Sequence, residues 1–500
     1  MKGKLAALCA LLLCALPLSA QDPATLGRVI EAAQQPSLLE QNLEVLTDQI
    51  GGRIPGTPAM NRAVGWGVSA FQAAGADKVT TELFTLPTSW AEGDTQVEVV
   101  APDRFRVRAV SLAWAPALAP RKLRFVDVGN GTAEDFAKAG DFAGAVLLVH
   151  SETMKTWDDL FAEYLRTPAV VQNALAGRAA AIAFLSTREH DLLYRHISSF
   201  DGRIAPLPML LLAREDGLRI SRLLAQGPVE AQVSIPNKIG GVTPTANVVA
   251  ALEGSEHPEE WVLLGAHLDS WELGTGALDN GCNAALVIDV LRALRSAGVK
   301  PRRSIRFVLF SGEEEGTLGS HDYVVRHRNE LDHAVAAVIL DEGTGQITGW
   351  SLGGREDVAQ EFDRLAQPLS AFHAGQQTTD AFYGTDNFDF LLEGVPTLVA
   401  NQVEANYLPN YHASSDTFDK VDLGALRQHV AITAALIYEL ADAPERLGPR
   451  QSRAEIEELL RRTHLDEQMK TFGYWEDWET GRLGREPEKP PVKVITDRPE

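Results

Sequence analysis

Cysteine is almost missing from this chain, with three in 500 residues. Two of them, Cys9 and Cys14, sit inside an apolar stretch at the start, so Cys282 alone remains beyond it. That leaves no internal disulfide, and a core of this length needs none. A lone thiol can be a nucleophile, but a buried structural role is the better expectation for Cys282. Positive charge is also short: 46 Lys and Arg stand against 68 Asp and Glu, for a net charge of −22. A phosphate backbone would be repelled, so no nucleic-acid partner is expected. Internal repeats are missing too. With 45% hydrophobic and 23% charged residues, the composition is that of a folded protein.

Long apolar runs are equally scarce. The one that stands out, Leu5 to Leu18, follows Lys2 and Lys4 and ends at Ser19-Ala20. It falls short of the ~20 residues that span a bilayer. A short basic region, an apolar core and a small-residue end describe a secretory signal peptide. Residue 13 before Cys14 is leucine, which argues against a lipoprotein signal. We expect cleavage after Ala20, leaving Gln21 first, and a secreted or periplasmic protein not held at a membrane. Loss of Lys2 and Lys4 leaves 44 basic and 68 acidic residues, a charge of −24.

Periodicity divides the rest. After the signal (1–20), residues 21–94 carry helical spacing, a breaker-dense loop at Gly51–Pro58, a helix over 59–74 and a strand over 78–86. Residues 95–240 show short apolar runs between Pro- and Gly-rich turns, with few helices. They read as a β-rich insert, with Asn237–Pro244 as its exit linker. From 241 to 445, apolar strands alternate with helices, which implies a mostly parallel sheet sandwiched by helices, an α/β fold. Residues 446–500 form a charged extension with one helical segment over 454–469 and a flexible tail.

Polar residues interrupt the apolar strands at their ends. His267-Leu-Asp269 follows one strand, Glu313-Glu314-Glu315 a second and Asp341-Glu342 a third. Ligands of open α/β sheets bind past the carboxyl ends of the strands. Loops add Asp279 and His412. Two imidazoles and several carboxylates suit zinc, and the inventory matches two ions. His267, Asp279, Glu314, Asp341 and His412 are the candidate ligands, with Asp279 as the bridge. Glu313 is the candidate general base. Asp269 lies two residues beyond His267, on the same strand face, and is the candidate to orient it. The other histidines, His196 among them, lack such context and read as structural or solvent-facing.

The blocks Gly265-Ala-His267-Leu-Asp269-Ser-Trp, Gly276-Ala-Leu-Asp279-Asn, Gly312-Glu313-Glu314-Glu315-Gly, Asp341-Glu-Gly-Thr, Gly384-Thr-Asp386-Asn-Phe and Tyr411-His412 occur in order. As a set they resemble the M28 peptidases, over roughly residues 40 to 445. The early Gly51-Gly-Arg53-Ile-Pro-Gly56-Thr loop resembles that family as well. The resemblance implies a zinc exopeptidase fold with a protease-associated insert. It also implies two Zn2+, hydrolysis of a peptide bond by a zinc-bridged hydroxide, and Glu313 as base. Tyr411, with Tyr407 as rival, matches a position that helps hold the substrate carbonyl oxygen. The dipeptidase-like branch implies small peptide substrates with a free amino terminus, which Glu342, Asp386 or Glu404 can hold. Glu342 departs from that branch, where a small residue stands. Alternatives on the same fold are an aminopeptidase for longer peptides, a receptor-like protein without zinc and a glutaminyl cyclase. A homodimer is the assembly allowed for.

Overall fold

The computed structural model describes residues 23–197 and 199–487. The expected signal peptide (1–20) and the end of the expected tail (488–500) lie outside them. Among the described residues, eight strands form one sheet. Its centre is parallel: Arg303–Phe310, His257–His267, Ala334–Ile339 and Thr397–Gln402 lie side by side in that order. Outward, Lys78–Leu86 and Thr243–Leu252 pair antiparallel on one flank, and Ile347–Ser351 on the other. The expected parallel pairing holds for most neighbouring strands, Ile347–Ser351 with Gln376–Thr378 included, and the antiparallel flanks make the sheet mixed. Short loops lead from Thr243–Leu252 into His257–His267 and from Ala334–Ile339 into Ile347–Ser351, too short for the crossover that parallel strands need.

Unbroken burial explains the unbroken apolar strands. Along His257–His267, Val262, Leu264 and Ala266 enter one core with the helices Cys282–Ser296 and Leu423–Asp442. Trp261 and Leu263 point the other way, onto Tyr323, Val324 and Phe390. Alternate side chains therefore meet helices on both faces, as period 2 requires. Cys282 is buried, and burial pushes its thiol well up, the opposite of an activated nucleophile.

Residues 96–235 build a second eight-stranded sheet. Four of its strands, Leu118–Asp127, Val146–Val149, Ala181–Leu185 and Met209–Leu212, are parallel. Parallel strands need crossovers, and the stretch accordingly holds the helices Ala133–Ala139, Trp157–Ala176 and Arg214–Leu224. The reading of few helices here is corrected. Trp157–Ala176 escaped it because Phe161, Leu165 and Leu175 stay exposed and Pro168 sits inside, which blurs the apolar stripe. Its start is nonetheless fixed by a capping box between Thr156 and Asp159. The expected exit linker contains a short strand, Lys238–Ile239, paired with Trp90–Ala91. The C-terminal extension holds three helices, Arg453–Arg462, Leu465–Phe472 and Trp475–Thr480, not one. They share a core with Tyr383, Phe388 and Leu392. No helix among the described residues is long and apolar enough to cross a membrane.

Candidate metal centre

Register brings the strand-end residues together. Gly265 pairs with Ile339, so two residues further His267 and Asp341 lie side by side. His267 Nε2 is 3.0 Å from Asp341 Oδ1 and 3.1 Å from Asp279 Oδ1. His267 also pairs with Phe310, and the chain turns just beyond that into Glu313 and Glu314. His412 Nε2 lies 2.9 Å from Glu314 Oε2 and 3.3 Å from Asp279 Oδ2. One Asp279 oxygen thus faces each histidine. Two sets of donor atoms, His267–Glu313–Asp341 and Asp279–Glu314–His412, each lie within 4.8 Å of one another.

Backbone clamps hold these loops. The Asp416 carboxylate accepts the N–H groups of Ala277, Leu278 and Asp279 at 3.1, 2.7 and 3.2 Å. Arg53, fully buried, donates to the carbonyls of Leu268, Thr275 and Gly276. It ties the loop after His267 to the loop before Asp279. The preceding glycine is needed there, since a Cβ on Gly52 would lie 2.3 Å from Glu272 Cα. The carboxylate of Asp269 lies 3.8 Å from His267 Nδ1 and has closer partners. It accepts the N–H groups of Glu313 and Glu314 at 3.3 and 3.2 Å. It is the Asp269 carbonyl that accepts from His267 Nδ1, at 3.0 Å. The strand ends at His267, so the same-face geometry of a continuing strand does not hold Asp269.

Both histidines share one pattern. His412 Nδ1 donates to the Arg195 carbonyl at 2.9 Å, as His267 donates to Asp269. With the ring proton on Nδ1, each Nε2 presents a lone pair to carboxylate oxygens at about 3 Å. Two acceptors face each other, a contact that only a proton or a cation relieves. Glu314 Oε1 is also buried without a hydrogen-bond partner. The donor set of imidazole and carboxylate therefore fits zinc. The protonation balance agrees. Burial opposes charge on His412, but Glu314 and Asp279 outweigh it and lift the ring to about 9. For His267, burial is likewise outweighed by Asp341 and Asp279, well above the usual range. Burial raises Glu314 to about 7 despite His412. Asp279, between two imidazoles whose hydrogen bonds outweigh its burial, is held well below the usual range.

The centre forms the floor of a cavity of about 330 Å³. Glu313, Glu314, Asp341, Asp279 and His412 line it, as do Tyr407 and Tyr411. Tyr411 stacks on His412, with ring centroids 3.7 Å apart. Of the three carboxylates expected to hold an amine, Glu342 lines this cavity. Glu404 lies in an adjoining one and accepts from Trp157 Nε1 and Leu408 N–H. Asp386 is fully buried and does not line it.

The connection between Ala181–Leu185 and Met209–Leu212 of the insert also reaches the centre, which the sequence did not suggest. Leu193 to Arg195 runs beside His412 to Ser414: Arg195 N–H donates to the His412 carbonyl, and Ser414 N–H to the Leu193 carbonyl, both at 3.0 Å. His196, read as structural, has its Nδ1 2.9 Å from the Tyr164 hydroxyl and 3.3 Å from His412 Nδ1. Its ring stays neutral, burial lowering it to about 4. No local motif marks His196, because its partners lie over 30 residues away or in another sheet.

Imidazoles and carboxylates gathered at the strand ends of an α/β sheet are the apparatus of a metal-dependent hydrolase. Residues 247–437 match the profile of Peptidase family M28. Carboxypeptidase Q of Homo sapiens is 25% identical over 413 residues, covering 81% of this chain and 86% of that protein. A probable leucine aminopeptidase 2 of Aspergillus fumigatus is 26% identical, covering 65% and 68%. Among solved structures, a peptidase M28 precursor from Shewanella amazonensis superposes with a TM-score of 0.78 at 26% identity, over 86% of this chain and 98% of that one. BSAP, a zinc aminopeptidase from Bacillus subtilis, shares the fold at a TM-score of 0.65 and 18% identity, over 83% and 97%. The chain is a metallopeptidase, and its residues 247–437 are similar to the M28 peptidases.

Proposed function

We propose that this protein is a di-zinc exopeptidase acting on dipeptides or short peptides with a free amino terminus. The observation that carries the reading is the pair of facing donor sets joined through Asp279. His267 and Asp341 would hold one ion, Glu314 and His412 the other, and Asp279 both. When bound, zinc supplies Lewis acidity, polarising the scissile carbonyl and acidifying a water. Glu313 lines the cavity and would accept a proton from the attacking water and return it to the leaving amine. Burial, offset in part by His267, holds Glu313 well above the usual carboxylate range in the cation-free site, and divalent cations beside it would lower it toward the ionised form a base needs. Tyr411 would hold the carbonyl oxygen of the substrate.

Among the described lining residues, Glu342 is the carboxylate left over from the ligand and base set, so it is assigned the substrate ammonium. The inserted sheet is read as a protease-associated module. Export is read from the apolar run after Lys2 and Lys4, and N-terminal sequencing of exported protein should begin at Gln21. The central test pairs zinc analysis with a panel of dipeptides and their N-acetyl forms. Two zinc per chain and a large loss on acetylation are expected. Equal rates on blocked and unblocked peptides would sink the amino-terminal assignment.

A further inference from the structure

The floor of the cavity is ionic, but its walls are aromatic and come from three separate parts of the chain. Phe161 and Phe200 belong to the insert, Phe382 to the loop after the strand Gln376–Thr378, and Phe472 to the C-terminal extension. Phe472 is the keystone. Its ring packs on Phe200 and on Tyr383, both at 5.3 Å between centroids. Next to it, Tyr474 donates its hydroxyl to the Phe200 carbonyl at 2.9 Å and meets the Tyr383 hydroxyl at 3.1 Å. The extension thus bolts the insert to the loop over the site. Among the described lining residues there is no lysine or arginine.

We propose that the C-terminal extension is part of the substrate pocket, and that Phe472, together with Phe161, selects a large apolar side chain beside the scissile bond. This rests on the exopeptidase reading above. Apolar walls reward each buried methylene of a substrate. The carboxylates of the floor repel a second anion, so acidic side chains are rejected. With no cation on the walls, a free carboxylate gains nothing, which places recognition on the amine and the apolar side chain.

The test is kcat/KM of the zinc-loaded full chain on the nitroanilides of Phe, Leu, Ala, Gly and Glu. Phe and Leu should exceed Ala by about tenfold or more, with Glu poorest. Phe472→Ala should cut the Phe-to-Ala ratio by about tenfold, and Phe472→Trp, which narrows the pocket, should tilt it toward Ala. Phe161→Ala lies outside the C-terminal fold and should move the ratio in the same direction as Phe472→Ala, so the proposal stays testable if Phe472→Ala fails to fold. A wild-type enzyme that prefers Gly or Glu, or a ratio unmoved in folded Phe472 and Phe161 variants, would overturn this proposal while the exopeptidase reading stands. A zinc-loaded chain active on no unblocked substrate would overturn both.

Discussion

Glu313 and Glu314 are neighbours with different partners. Glu314 is 2.9 Å from His412, whereas Glu313 stands with His267 and Asp341 over the cavity. Glu313→Gln preserves shape and removes the proposed base, so zinc content should persist while kcat falls ~10²–10⁴-fold. Glu314→Ala or His412→Ala removes a donor, so zinc should be lost along with activity. If Glu313→Gln kept near wild-type turnover while Glu315→Gln did not, the proton would be moving elsewhere. The residue types and their strand-end placement could be read from the sequence, because a polar residue ending an apolar strand stands out against its neighbours. The role of the Asp269 carboxylate could not, since the strand ends at His267 and its N–H partners belong to another loop. His196 was equally hidden: its contacts are made by folding alone.

Elements built from local periodicity were legible: the central strands and the helices over 282–296 and 423–442 bury whole faces, and their patterns are clean. Those shaped by tertiary contact were not. Pairing of Leu193 to Arg195 with the His412 loop crosses between sheets and leaves no periodic trace. Arg195 anchors that segment. It is fully buried, 2.9 Å from Glu272 and paired also with Glu92. Arg195→Ala would leave those carboxylates unpaired in a partly desolvated site, costing about 3 kcal/mol. It should also loosen the carbonyl that orients His412. A lowered melting temperature together with weaker zinc retention in chelator competition is the expected result. Unchanged zinc affinity would mean that the insert segment does not orient His412.

For the whole molecule, the centre couples stability to pH and metal together. Glu314 is raised to about 7 and Glu342 to about 8, both chiefly by burial. His412 reaches about 9, Glu314 and Asp279 outweighing its burial. Each folded group keeps a proton that the unfolded chain gives up at lower pH. The carboxyls retain theirs above the ordinary value of about 4.5, and the imidazole above about 6.5. The folded state therefore binds more protons, and stability falls as pH rises, from about 4.5 through 7–8 for the acids and from about 6.5 through 9 for His412. Each retained proton sets a slope of about 1.4 kcal/mol per pH unit within its window. Asp279, held below its ordinary range, is ionised throughout and adds no slope above pH 5. A divalent cation needs the same donors deprotonated, so its stabilisation grows as the protons leave. Scanning calorimetry of chelator-treated protein should show the melting temperature falling between pH 5 and 9. Added zinc should flatten that fall, with the gap between the two curves widening toward pH 9. A chelated protein whose melting temperature stays level or rises over that range would show that the histidine–carboxylate cluster does not hold these protons, and that repulsion among its carboxylates is relieved in some other way.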